Sequence, residues 1–140
     1  MAGRDAAMTM GRELWQNAAM AKRDIAVSFL KNAAAGRVRE AYEHVDAGFR
    51  HHNPAFAGDA ASLSQAMEAN ARAHPQKVFE IQRVLEDGDL VAVHSHVRQQ
   101  PHDRGAAVVH IFRFTGNRIV ELWDVGQPVP EQSINGNGMF

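Results

Sequence analysis

The chain's 140 residues suit one domain around a single core, and 15 Lys and Arg against 16 Asp and Glu leave a formal charge of −1, with no broad basic field to hold a phosphate backbone. Nucleic acid is therefore not an expected partner, and with no apolar run near the ~18 residues of a membrane span, neither is a membrane. The absence of Cys excludes disulfides, thiolate metal sites and a cysteine nucleophile and suits a reducing compartment, so the cytoplasm is the expected location, while eight His are the one compositional excess.

Residues 1–11 read as a flexible N-terminal segment, and 12–140 as one domain. Leu14, Ala18, Ala21, Ile25, Phe29 and Asn32 follow a helical stripe that Leu30 widens, with Gly36 suited to the C-terminal stop. A second, short helix is expected over 37–45. The segment DAGFRHHNPAF then breaks the pattern with Gly48 and Pro54 and reads as a polar loop. A third helix begins at Asp59 or at Ser62, the latter having Gln65 at capping-box spacing, and stops at His74-Pro75. Everything beyond Pro75 reads as antiparallel strands over 77–86, 90–99, 106–114 and 118–125. Asp87-Gly88-Asp89 and Gly116-Asn117 close two of the joins tightly, and QPHDRG makes a looser one.

Strand alternation in 91–124 concentrates the chemistry. A two-residue turn at Gly116-Asn117 sets Thr115 against Arg118 and Phe114 against Ile119. Continued without interruption, it sets Phe112 against Glu121 and His110 against Trp123. On the preceding strand Ala92, His94 and His96 lie on one side, and Val91, Val93, Ser95 and Val97 on the other. An even-sum register between these strands brings His94 and His96 onto the face of His110, and a one-residue slip sets them against Ile111 and Val109. In the shared-face register, His94, His96, His110, Glu121 and Trp123 form a patch flanked by Phe112 and Phe114. An apolar wall with a few convergent polar groups is the usual make-up of a small-molecule site. In that register Asp124 points to the other side and ranks below His110.

The order of helices, HHNP at 51–54, VAVHSHV at 91–97, VVHIFRF, IVELWDV at 119–125, VPE and a terminal NGNGMF resembles the SnoaL-like polyketide cyclase group of the nuclear-transport-factor-like superfamily, in particular its predicted aldol-condensation-catalysing branch. The likeness covers nearly the whole chain after residue 20. It implies an α+β fold: a cone in which a curved, mostly antiparallel (cystatin-like) sheet wraps a long helix and leaves a cavity open at one end. It also implies a homodimer packed through sheet surfaces. Members of the branch commonly carry Asp where this chain has His110, and Gln where it has His51.

An enzyme needing no cofactor is the leading expectation. It would bind a small hydrophobic carbonyl compound and remove a proton next to the carbonyl, leading to aldol-type cyclisation or isomerisation. Imidazole titrates near pH 6.5 when unperturbed, which suits His110 as base. His94 and His52 or Asn53 would donate to the oxyanion, so His94→Ala is expected to lower turnover about a hundredfold. Glu121, beside aromatic surface, is expected to have a raised pKa and to relay protons together with His96. His51, Asn53, His96, Phe112 and Trp123 would contact the substrate. The alternatives are a non-catalytic dimeric module holding a small ligand or a metal ion on His94, His96 and His110, and a cone packed shut by Phe112, Phe114, Trp123 and Met139-Phe140. The tail INGNGMF is expected to fold over an opening or onto a second subunit.

Overall fold

A computed structural model describes residues 20–140. The first residues of the expected helical stripe, Leu14 and Ala18, and the N-terminal segment before them lie outside the described residues. Helix α1 (Lys22–Ala34) buries Ile25, Ala26, Phe29 and Leu30, one face of a 3.6-residue period. It stops at Gly36, whose φ of 81° only glycine adopts cheaply. The Gly36 and Arg37 amides donate to the Ala33 and Asn32 carbonyls at 3.2 and 2.9 Å, a Schellman closure that satisfies the last turn.

The second helix is shorter than the sequence pattern suggests: α2 (Val38–Ala41) passes into a 3₁₀ turn (Tyr42–His44). The loop expected after it is instead a strand, β1 (Val45–His51), which buries Val45, Phe49 and His51. Gly48 hides its strand character in the sequence. Helix α3 (Ala60–Ala73) is capped by Asp59, not Ser62: the Asp59 carboxylate accepts from the Ser62 amide at 3.0 Å and from the Ser62 hydroxyl at 2.7 Å.

Strands β2 (Val78–Asp87), β3 (Leu90–Arg98), β4 (Ala106–Thr115) and β5 (Arg118–Pro128) form an antiparallel meander, and β1 adds parallel to β5, giving the order β1-β5-β4-β3-β2. The inner face carries the core. Phe29 of α1 meets Phe112 edge-on at 5.6 Å between ring centres, over Val91, Val93 and Ile119, none of them exposed. Among the described residues no helix is long and apolar enough to cross a membrane.

Two features of the sheet decide which side chains meet. First, β3 and β4 pair Val93 with His110, His94 with Val109 and His96 with Ala107. This is the slipped register, so His94 and His96 lie on the face opposite His110. The physical cause is burial: the branched side of β3 belongs to the core with Phe112 and Phe114, and the imidazoles are carried outward. Second, the turn pairs Thr115 with Arg118 and Phe114 with Ile119 as expected, but a bulge at Val120 then shifts β5 by one residue. Beyond it Arg113 pairs with Glu121, Ile111 with Trp123 and His110 with Asp124. The bulge lets Ile119 and Leu122 both face the core, and it turns Glu121 and Trp123 outward and Asp124 inward.

Candidate functional site

Between the helices and the inner sheet face lies a cavity of about 220 Å³. Leu30, Ala33 and Ala34 of α1 and Leu63, Ala66 and Met67 of α3 supply its apolar wall, with Phe79 of β2 and Phe56 of the loop after β1. The space exists because three facing helical positions are alanine. Its polar groups converge from separate elements: Asn53 after β1, Asn70 on α3, Lys77 before β2, His110 on β4 and Asp124 on β5.

Each polar group has an identifiable constraint. Asn53 donates from Nδ2 to Asp124 Oδ2 at 3.0 Å and accepts the Ala55 amide on Oδ1 at 2.9 Å, so its amide orientation is fixed. Lys77 donates to Asn70 Oδ1 at 2.8 Å, and burial lowers its pKa from the usual lysine value. His110 is pushed down to about 4, foremost by burial. The Asp124 charge opposes that shift, and the Lys77 charge adds to it. Among the described residues its Nδ1 is buried without a hydrogen-bond partner. The imidazole is thus neutral at pH 7, paired across the strands with Asp124 and within electrostatic reach of Lys77.

His51 is buried and organises the loop rather than lining the cavity. Its Nε2 donates to the Ala57 carbonyl at 2.6 Å, and its Nδ1 accepts the Asn53 amide at 3.2 Å. It therefore holds Asn53 in place. Phe112 is wholly buried beneath the cavity in the core.

The remaining expected site residues lie on the outer sheet face. Glu121 accepts from Arg50 Nε at 3.0 Å, sits 2.7 Å from His52 Nε2 and 3.4 Å from Arg113 Nε. Its carboxyl is held down to about 2 by the Arg50 and His52 hydrogen bonds, the reverse of the expected rise. Trp123 stacks on His52, with ring centres 5.0 Å apart and planes 7° from parallel. His94 accepts from Arg83, and His96 Nε2 donates to the Arg104 carbonyl at 2.7 Å. The tail returns over this same face: Phe140 stacks on His96 at 4.2 Å and on His94 at 5.8 Å. It covers neither the cavity nor its mouth, so Trp123, Met139 and Phe140 do not pack the cone shut.

A three-histidine metal site is excluded by the register, and among the described residues no group of three His, Asp or Glu is placed to hold a metal ion. Of the expected site residues, the cavity brings together His110 and Asn53. Asp124, Lys77 and Asn70 complete it. The last two left no sequence signal beyond their positions at the ends of elements that converge. Asp124 would have emerged had the core demand of both Ile119 and Leu122 been weighed against an unbroken alternation.

The SnoaL-like domain model matches residues 26–122. The chain belongs to the SnoaL-like family. Solved structures of the same fold include a protein of unknown function, like nuclear transport factor 2, from Cytophaga hutchinsonii (14% identity, 78% of this chain and 92% of that one, TM-score 0.64). A cystatin-fold protein from Novosphingobium aromaticivorans is similar at 16% identity, over 76% of this chain and 98% of that one, with TM-score 0.64. A candidate polyketide cyclase from Sinorhizobium meliloti shares 16% identity over 73% of this chain and 94% of that one, with TM-score 0.62. No curated protein matches the sequence. These identities establish the cone and leave the reaction to the residues in it.

Proposed function

We propose that this SnoaL-like chain binds a small apolar carbonyl compound in the cone and removes the proton next to its carbonyl, without a redox or nucleotide cofactor. The observation that carries this reading is the cross-strand pair of His110 and Asp124 in the wall of an otherwise apolar cavity. Neutral His110 takes the proton, and Asp124 stabilises the imidazolium that forms. A base with a pKa as low as about 4 is not disqualified, since carboxylates of comparable strength abstract carbon-bound protons where the resulting charge is well held. Reprotonation at another carbon gives isomerisation, and attack on a second carbonyl of the same molecule gives ring closure.

The test is deuterium uptake at the α-carbons of cyclohexanone in D₂O. Wild-type protein is expected to accelerate uptake, and His110→Ala and Asp124→Asn to lose that acceleration. If wild type leaves the uncatalysed rate unchanged while cyclohexanone binds, the cone is a ligand-holding module and the catalytic reading fails. We further propose that the outer face, where Leu85 and Val125 are 66% and 67% exposed, is the surface for a homodimer. Sedimentation of wild type against Val125→Lys would show a dimer lost in the variant.

A further inference from the structure

Proton abstraction leaves an electron pair that something must hold, and among the described lining residues the cavity offers it two neutral side-chain amides and one cation. His52 and His94 are on the far face of the sheet. Asn53 Nδ2 gives one of its two hydrogens to Asp124, and His110 is occupied by the proton. The cation is Lys77, the only cationic side chain among the described residues of the lining. Its hydrogen bond runs to a neutral amide oxygen, Asn70 Oδ1, at 2.8 Å. Among the described residues no carboxylate lies within ion-pair distance of Nζ.

From this placement we infer that Lys77 is a covalent catalytic residue, forming an iminium with the carbonyl carbon of an uncharged ketone or aldehyde. The inference rests on the carbonyl-binding reading above and deepens it. The step balances without a co-reactant. The Lys77 ammonium releases a proton, the Nζ lone pair forms the C–N bond, and the carbonyl oxygen takes up that proton as the carbinolamine hydroxyl. A second proton from nitrogen follows as the C–O bond breaks, so the oxygen leaves as water and N=C forms. His110 then removes the α-proton, and the C–H electrons become the C=C bond of a neutral enamine on Nζ. Water reverses the linkage after reprotonation or carbon–carbon bond formation.

Two further observations agree. An iminium carries the same single positive charge as the ammonium it replaces, so the balance of Lys77 against Asp124 is preserved when the linkage forms. A carboxylate-bearing substrate would upset that balance, which is why the substrate is taken to be uncharged. Burial, which disfavours the ammonium, also enlarges the share of free amine available for attack.

The chain has only two other lysines, Lys22 and Lys31, which serve as internal background for a trapping experiment. Wild-type protein is incubated with cyclohexanone and cyanoborohydride, and its mass and peptide map are measured. The expected result is one cyclohexyl group per chain on Lys77, above the level at Lys22 and Lys31. Deuterium uptake by cyclohexanone should fall to the uncatalysed rate in both Lys77→Met and Lys77→Arg, the second keeping the charge without the reactive amine. If Lys77 is labelled no more than the other two while wild type exchanges and His110→Ala does not, the iminium is overturned and the proton-abstraction reading stands. If Lys77 is labelled but Lys77→Arg exchanges at the wild-type rate, the linkage is a bystander and the catalytic role is overturned. If wild type does not exchange at all, both readings fail together.

Discussion

Burying His110 uncharged should make the protein's stability depend on pH. The imidazole titrates near 6.5 in an unfolded chain and at about 4 in the fold, chiefly because burial disfavours its charged form. Between these values the unfolded chain binds a proton that the native protein does not, so stability rises with pH there. The contribution is fully present above pH 6.5 and is lost as the pH falls through about 4. Each pH unit of the gap is worth about 1.4 kcal/mol, so its full width is worth about 3 kcal/mol. Urea denaturation of wild type and His110→Asn at intervals between pH 7 and 4 measures it, since subtracting the variant's curve removes the other histidines. Wild type should lose about 3 kcal/mol more than the variant over this range. Parallel curves would refute the reasoning, because they would mean that His110 charges as readily in the cone as in water.

Further outcomes follow from the same structure. Glu121→Gln should flatten the acid limb below pH 4.5, where wild type loses the contribution of a carboxyl held down to about 2, and should leave cyclohexanone exchange intact; acid denaturation read by circular dichroism checks it. Gly105→Ala should destabilise by more than about 2 kcal/mol, the backbone strain plus a clash, since its φ is 69° and a Cβ there would run into the Val97 carbonyl and stand 2.7 Å from Arg98 Cγ. Gly88→Ala, with φ 58° but open space around it, should cost only the backbone strain of about 1–2 kcal/mol, and thermal melts of the two rank them. Ser95→Ala should stabilise by about 1–3 kcal/mol, because the Ser95 hydroxyl is fully buried and has no hydrogen-bond partner among the described residues. His94→Ala should exchange cyclohexanone at the wild-type rate, and a hundredfold loss would restore the shared-face register.

Where local chemistry is decisive, the sequence was sufficient. Gly36 ends α1, Gly116-Asn117 fixes the first two pairs of the last hairpin, and alternation marks the four strands of the meander. Alternation singled out His110, the family resemblance singled out Asn53 and supplied the cone, and both side chains line the cavity. What alternation cannot carry is a count that changes along a strand. One extra residue at Val120 exchanged Glu121 and Trp123 for Asp124 in the cavity, and a bulge between Ile81 and Arg83 adjusts β2 in the same way.

The register of β3 on β4 was open for a related reason. Its connection is too long for a turn to impose the pairing, so burial of Val91 and Val93 chose it, against the grouping of the histidines. β1 escaped notice because a parallel partner on β5, seventy-odd residues away, stabilises a segment whose own composition reads as loop. Lys77 and Asn70 lie on opposite sides of the His74-Pro75 stop, and the turn in which the Lys77 amide donates to the His74 carbonyl brings their side chains together at the cavity. The sequence by itself determined the long helices, the four strands of the meander, the tight turns and the imidazole, but not β1. Tertiary structure decided the company that imidazole keeps, because sheet faces are assigned by the summed burial of a whole layer and not by any single strand.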